Sequence, residues 1–345
     1  MMKIGKGFFL GIMGTLALAS CQSGADEDHV MDAEEGSEAV TWKMTMTVSE
    51  AESRASVDEN QVMNGNPLQV RWDKEDKVKM MIGTDAENVF PCEFMLQGES
   101  SIGSAVFEYE GDQVDSYYYY GLYPSFLDLD QEGRVHLSVP VDGTICQAEV
   151  DDSRHLGKYR AMYAAPVERD ESSSLLTGVV FRHLTGLVIF KITNQTEQDR
   201  RIKSIRLSTA DGSPIFYETA SFKPVAQEAV EVTGSPSSST LLNFLGNGLS
   251  LPSGEMHKAY LPVLPTDDFS HTPLVIRTVM ENDEVLTTEL PLSASTTLKK
   301  FGAGGYCIFN VKKTPSGIQV EVEMADWEDG GNLVIPFGLS SESKI

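Results

Sequence analysis

The sequence predicts an all-β protein: two tandem antiparallel β-sandwiches behind an N-terminal export segment. Three observations predict it. Apolar residues recur at period two from Val40 onward, turn-forming residues break them into short runs, and no long stretch sustains a helical period. Short strands, frequent turns and few helices argue for packed sheets. With 345 residues, the chain is long enough for two domains of about 100–200 residues each.

Residues 1–20 read as a signal peptide. Lys3 and Lys6 supply the positive end, and Phe8 to Ala19 supply an apolar run. That run falls short of the roughly 20 residues a membrane-spanning helix needs. It ends in Leu18-Ala19-Ser20-Cys21, the pattern of a bacterial lipobox, so Cys21 is the expected lipidation site and new N-terminus. Residues 21–39 carry Asp26, Glu27, Asp28, Asp32, Glu34, Glu35 and Glu38 with little apolar content. Such a segment cannot bury enough surface to pack and reads as a solvated tether. It serves equally well as a linker or as a surface-export signal.

The first strand follows at once. Val40, Trp42, Met44, Met46 and Val48 alternate with Thr41, Lys43, Thr45 and Thr47, which makes a half-buried strand. Similar runs follow at 68–72, 77–82, 105–109, 117–123 and 135–141. After the charged, Ser-rich stretch 167–174 they resume at 179–193, 202–207, 229–232, 260–264 and 274–280. The runs 285–290, 306–311, 318–324 and 333–337 complete the set. The stretch at 167–174 sets the expected division into domains 40–170 and 171–345. Gly234 to Ser239 reads as a long loop inside the second.

Composition and motifs exclude several functions. The chain is 41% apolar and carries 27 basic against 51 acidic residues, a net charge of −24. So acidic a surface repels phosphate and argues against a nucleic-acid partner. Membrane attachment is therefore expected through lipid rather than charge. No nucleophile elbow, zinc-protease helix, Walker loop or dinucleotide fingerprint occurs. Neither an enzyme nor a metal or other cofactor is expected. The segment 128–133 begins like a calcium loop but has Val139 at the twelfth position, so an acidic hairpin turn is the better reading. Gly302 to Cys307 begins like a phosphate loop without the later glycine. The six histidines are scattered. Cys92, Cys146 and Cys307 read as small buried hydrophobes, with one bridge left open. Tyr117 to Tyr120 could stack sugars, although alternation turns half of them toward a core.

The landmarks come in a recognisable order. After the lipobox, the first strand and Arg54 come Val70-Arg71-Trp72-Asp73-Lys74-Glu75-Asp76, then Tyr119-Tyr120-Gly121-Leu122-Tyr123-Pro124 and Ala161-Met162-Tyr163-Ala164. Val180-Phe181-Arg182-His183-Leu184-Thr185-Gly186 follows, and Ala325-Asp326-Trp327-Glu328-Asp329-Gly330 stands near the end. This order resembles the fimbrillin family, the pilin and pilus-accessory lipoproteins of Bacteroidales. One departure is Glu75, where the family usually has glycine.

The resemblance implies two transthyretin-like sandwich domains and a fimbrial subunit engaged in cell adhesion. It would be a lipoprotein exported to the outer membrane and cell surface, then assembled with other fimbrial subunits by protease-triggered strand exchange. An arginine-specific protease cutting between Arg54 and Ala55 would remove the lipid, the tether and the first strand. Five large side chains at about 1.5–3 kcal/mol each put that loss at roughly 8–15 kcal/mol, an upper figure. A strand from a neighbour would restore the lost burial and the edge pairing. Leu333, Val334, Ile335, Phe337 and Leu339 form an apolar segment that could be this donor or could close its own domain. A permanently lipidated anchor or accessory protein, or a glycan-binding surface lipoprotein with a host or bacterial receptor, are the alternative readings.

Overall fold

The computed structural model describes residues 39–48, 56–57, 70–72, 74–98, 104–112, 115–169, 179–326 and 332–335. Its first strands are β1 (Ala39–Val48), β2 (Ser56–Val57), β3 (Val70–Arg71), β4 (Lys77–Gly83), β5 (Val89–Gln97) and β6 (Ser104–Asp112). β7 (Tyr118–Tyr123), β8 (Val135–Ser138) and β9 (Cys146–Gln147) lead to a 3-10 turn at Arg154–Lys158. Then come β10 (Met162–Glu168) and β11 (Val179–His183). The chain continues through β12 (Gly186–Asn194), β13 (Arg200–Thr209), β14 (Thr219–Phe222) and β15 (Glu231–Thr233). β16 (Ser239–Phe244), β17 (Leu249–Leu251) and β18 (Met256–Val263) follow. It ends with β19 (Leu274–Met280), β20 (Val285–Glu289), the short helix α1 (Leu292–Leu298), β21 (Gly305–Thr314), β22 (Gly317–Asp326) and β23 (Asn332–Ile335).

The sheets separate into two bodies. Seven strands close on themselves in the order β1-β11-β10-β7-β4-β5-β6. Inside this barrel Trp72 meets Phe107, Tyr123 and Phe181 edge-on, with ring centroids 5.0–5.9 Å apart. Such T-shaped contacts suit the aromatic quadrupole and add to the burial itself. The second body faces a sheet β18-β12-β21-β22-β23 against a sheet β20-β19-β13-β16-β9. Phe190 and Phe309 stack at 5.7 Å in its core. A three-stranded sheet, β15-β14-β8, lies alongside.

The two bodies share residues across the expected boundary at 170. β11, beyond it, closes the barrel; β8 and β9, before it, pair with β14 and β16. Leu122, Ala161 and Tyr163 on the barrel belong to the same apolar cluster as the second body's core. The run 179–193 divides at Leu184-Thr185 into one strand for each body. Pairing is antiparallel except for β1–β11, β12–β21 and β9–β16, which are parallel. The partners of each parallel pair lie far apart in sequence, as parallel pairing requires a long crossover.

Candidate functional site

The segment the sequence marks for exchange is an integral stave of the barrel. β1 pairs antiparallel with β6 from Ala39↔Asp112 to Thr47↔Ser104, and parallel with β11 from Met46↔Val179 to Val48↔Phe181. Alternation turns Met44 and Met46 inward, and neither has any exposed surface. They pack in the cluster that holds Phe94, Phe107 and Phe181. Thr41 and Lys43 lie on the wet face, with Lys43 3.8 Å from Glu108. The two methionines alone account for about 3–6 kcal/mol of burial. The side chains of Val40, Trp42 and Val48, together with Cys21, Arg54 and Ala55, lie outside the described residues.

The candidate donor sits at the opposite end of the topology. Leu333, Val334 and Ile335 lie in β23, paired antiparallel to β22 at Met324, Glu323 and Val322. β23 is the last strand of its sheet. Phe337 and Leu339 lie outside the described residues. The structure therefore does not bring donor and stave together within the described chain: one belongs to the barrel, the other to the sandwich.

Most of the sequence landmarks meet in the barrel. Trp72 is 2% exposed at its centre. Four residues on, Asp76 accepts a hydrogen bond from the Tyr123 hydroxyl at 2.8 Å. Arg160, immediately before the Ala161 landmark, is 1% exposed and lies 3.1 Å from Nε2 of His183. Burial lowers the Arg160 pKa to about 9, while Tyr123 and Asp76 pull it upward. It stays charged at neutral pH, held among polar partners as a buried cation requires. Gly121 is also explained. A Cβ there would come within 2.5 Å of the Phe181 ring and 3.0 Å of Met80 Sδ. These motifs hold the barrel together; the sequence marks them without showing that they meet.

Other sequence candidates resolve as structure. Tyr118, Tyr119 and Tyr120 are all buried, on both faces of β7, so alternation did not leave half of them outward. Tyr118 and Tyr120 pack outside the barrel against Met81, which covers that face as well. The loop at 128–133 is a tight turn in which Asp130 accepts from the backbone N–H of Glu132 and Arg134 and bonds His136. These bonds, the Arg134 N–H foremost, hold its carboxyl below the usual range. No group of three or more metal-ligating side chains occurs among the described residues. The glycines at 302–305 are a close-packing device: a Cβ on Gly186 would meet Gly302 O at 2.8 Å, and Gly304 N–H donates to Thr185 O. Cys92, Cys146 and Cys307 are in no disulfide; Cys92 and Cys307 are buried, and burial raises the Cys92 pKa. A groove of about 250 Å³ opens beside Phe126, His136, Lys158 and Tyr159.

The fold defines a class: an all-β barrel joined to a β-sandwich. Solved structures share it, among them two from Bacteroides. One, described as a "putative cell adhesion protein" from Bacteroides uniformis, superimposes with a TM-score of 0.55 at 12% identity, over 83% of this chain and 98% of that one. The other has the same description and comes from Bacteroides ovatus, with a TM-score of 0.54 at 14% identity over 85% and 98%. The C-terminally truncated tip fimbrial protein Mfa3 from Porphyromonas gingivalis also matches, with a TM-score of 0.42 at 10% identity over 84% and 100%. No family model matches the sequence, and no curated protein does. Of these, the two that share the fold are thus both described as a "putative cell adhesion protein", and both come from Bacteroides.

Proposed function

We propose that the protein is a surface-exposed fimbrial subunit of the fimbrillin type, carried to the outer membrane by lipid on Cys21 and assembled by strand exchange. An arginine-specific protease cuts between Arg54 and Ala55, β1 leaves the barrel, and an apolar strand from another subunit takes its place. The segment Leu333 to Leu339 is the candidate donor. The carrying observation is the double pairing of β1 with Met44 and Met46 wholly buried. Removing it opens a groove with two unpaired edges, β6 and β11, above an apolar floor. Strand addition supplies both what the edges and what the floor lack. The fold shared with two proteins each described as a "putative cell adhesion protein" and the order of sequence landmarks support the same reading.

The test is incubation of the purified lipid-free chain with an arginine-specific protease. N-terminal sequencing should give one new terminus at Ala55, and light scattering should show higher oligomers. A clean cut at Arg54 that leaves a monomer overturns exchange. A second reading, a permanently lipidated anchor or accessory subunit, draws on the same pairing, since with β1 in place the barrel is complete. Palmitate label on the surface form, lost in Cys21→Ala, would select it.

A further inference from the structure

β18 ends its sheet, with β12 on one side only. In an antiparallel pair, alternate residues turn their N–H and C=O toward the partner and the others turn theirs away. Lys258 and Tyr260 belong to the second set, as does Pro262 two residues on. Such a row is ordinarily a template for another strand.

Here that row is taken up by side chains of β9 and of the segment that follows it. Asp151 Oδ1 accepts from Lys258 N–H at 2.6 Å, and Gln147 Nε2 donates to Lys258 O at 3.1 Å. Gln147 Oε1 accepts from Tyr260 N–H at 3.0 Å, and His155 Nε2 donates to Tyr260 O at 2.8 Å. Pro262 has no N–H to offer. The Gln147 carboxamide stands where a peptide group of a neighbouring strand would stand, with the same donor and acceptor. It is wholly buried, and its second N–H goes to Glu149 O at 2.9 Å. Its backbone belongs to β9, on the opposite sheet, where Leu245 N–H donates to Gln147 O. Asp151 is held in turn by His257 Nδ1 at 2.9 Å. Leu156 caps the adjoining outer face over Leu187, Ile189 and Tyr260.

We propose that residues 145–156 form an edge lock, whose side chains occupy the free edge of β18 and stop it pairing antiparallel with β18 of a second copy. The lock concerns the sandwich, whereas the exchange proposed above concerns the barrel, so either can fail without the other.

Hydrogen exchange on the intact chain and on Gln147→Leu/Asp151→Ala tests it. In the unsubstituted chain the amides of Lys258 and Tyr260 should be protected like those of Ala259 and Leu261, which face β12. Diluted until it is monomeric, the double variant should exchange those two amides about tenfold faster; at micromolar concentration it should become a dimer by light scattering, with the two amides protected again by the partner strand. Rapid exchange at 258 and 260 in the unsubstituted chain overturns the lock, as does a folded double variant with opened amides that stays monomeric. Should the double variant not fold, Asp151→Ala decides. It removes the acceptor of the Lys258 N–H alone, so that amide should exchange about tenfold faster while that of Tyr260, still held by Gln147, stays protected. Unchanged exchange at Lys258 overturns the proposal.

Discussion

At the scale of single residues, the barrel's composition follows from a few close contacts. Gly121 faces Phe181 and Met80 with no room for a methyl group. Gly121→Ala should therefore destabilise the protein by about 1–3 kcal/mol in urea titration. Trp72→Ala, which empties the centre of the aromatic cluster, should cost about 3–5 kcal/mol. Trp72, Tyr123 and Phe181 were visible in the sequence as parts of separate landmarks, whereas their meeting was not, because contacts between distant strands leave no local period. Arg160 escaped notice for the same reason. His155 carries a pH prediction. Burial, the largest influence, lowers its pKa from the usual 6.5, against the opposing pull of the Tyr260 carbonyl and Asp152. The folded chain thus keeps it neutral where the unfolded chain binds a proton. Its contribution is full above about pH 6.5 and is lost as the pH falls toward the folded value. The urea midpoint should drop between pH 7.5 and pH 5.5, and His155→Gln should flatten part of that drop.

At the scale of elements, alternation made most strands legible, with boundaries shifted by a few residues. β19 falls on the expected 274–280. β5 is the instructive omission. Cys92, Phe94 and Leu96 alternate inward, but Pro91 argues against a strand, and Phe90 and Met95 are exposed. Pro91 is tolerated because β5 pairs with β6 only at 95–97, leaving the residues around the proline with β4 alone. The helix α1 is too short to show a period, although Ala294 and Leu298 do enter the core. β1 was marked by its alternation; its parallel partnership with β11 was not, since register between remote strands is set by tertiary packing. Met44→Ala or Met46→Ala should cost about 2–5 kcal/mol in the uncut chain. If β1 is released on cleavage, neither substitution should alter the stability of the cut and refilled form, which chemical denaturation of both forms would check.

At the scale of the whole molecule, the described residues from β1 onward share contacts rather than dividing cleanly. Tyr163 of the barrel meets Phe222 of β14 at 4.4 Å, and Leu122 and Ala161 join the sandwich cluster. Heating should accordingly give one transition, coincident by near-UV and far-UV circular dichroism, rather than two. All-β character and the turn spacing were legible from composition and period. The interleaving of β8, β9 and β11 was not, because it depends on which sheet a strand joins. The last passage of the chain from barrel to sandwich, between β11 and β12, takes two residues: Leu184 N–H donates to Ala161 O on one side, and Gly304 N–H donates to Thr185 O on the other. A joint so short and so tied leaves no slack for bending. An extra residue inserted between Leu184 and Thr185 would therefore pull one of these two bonds apart.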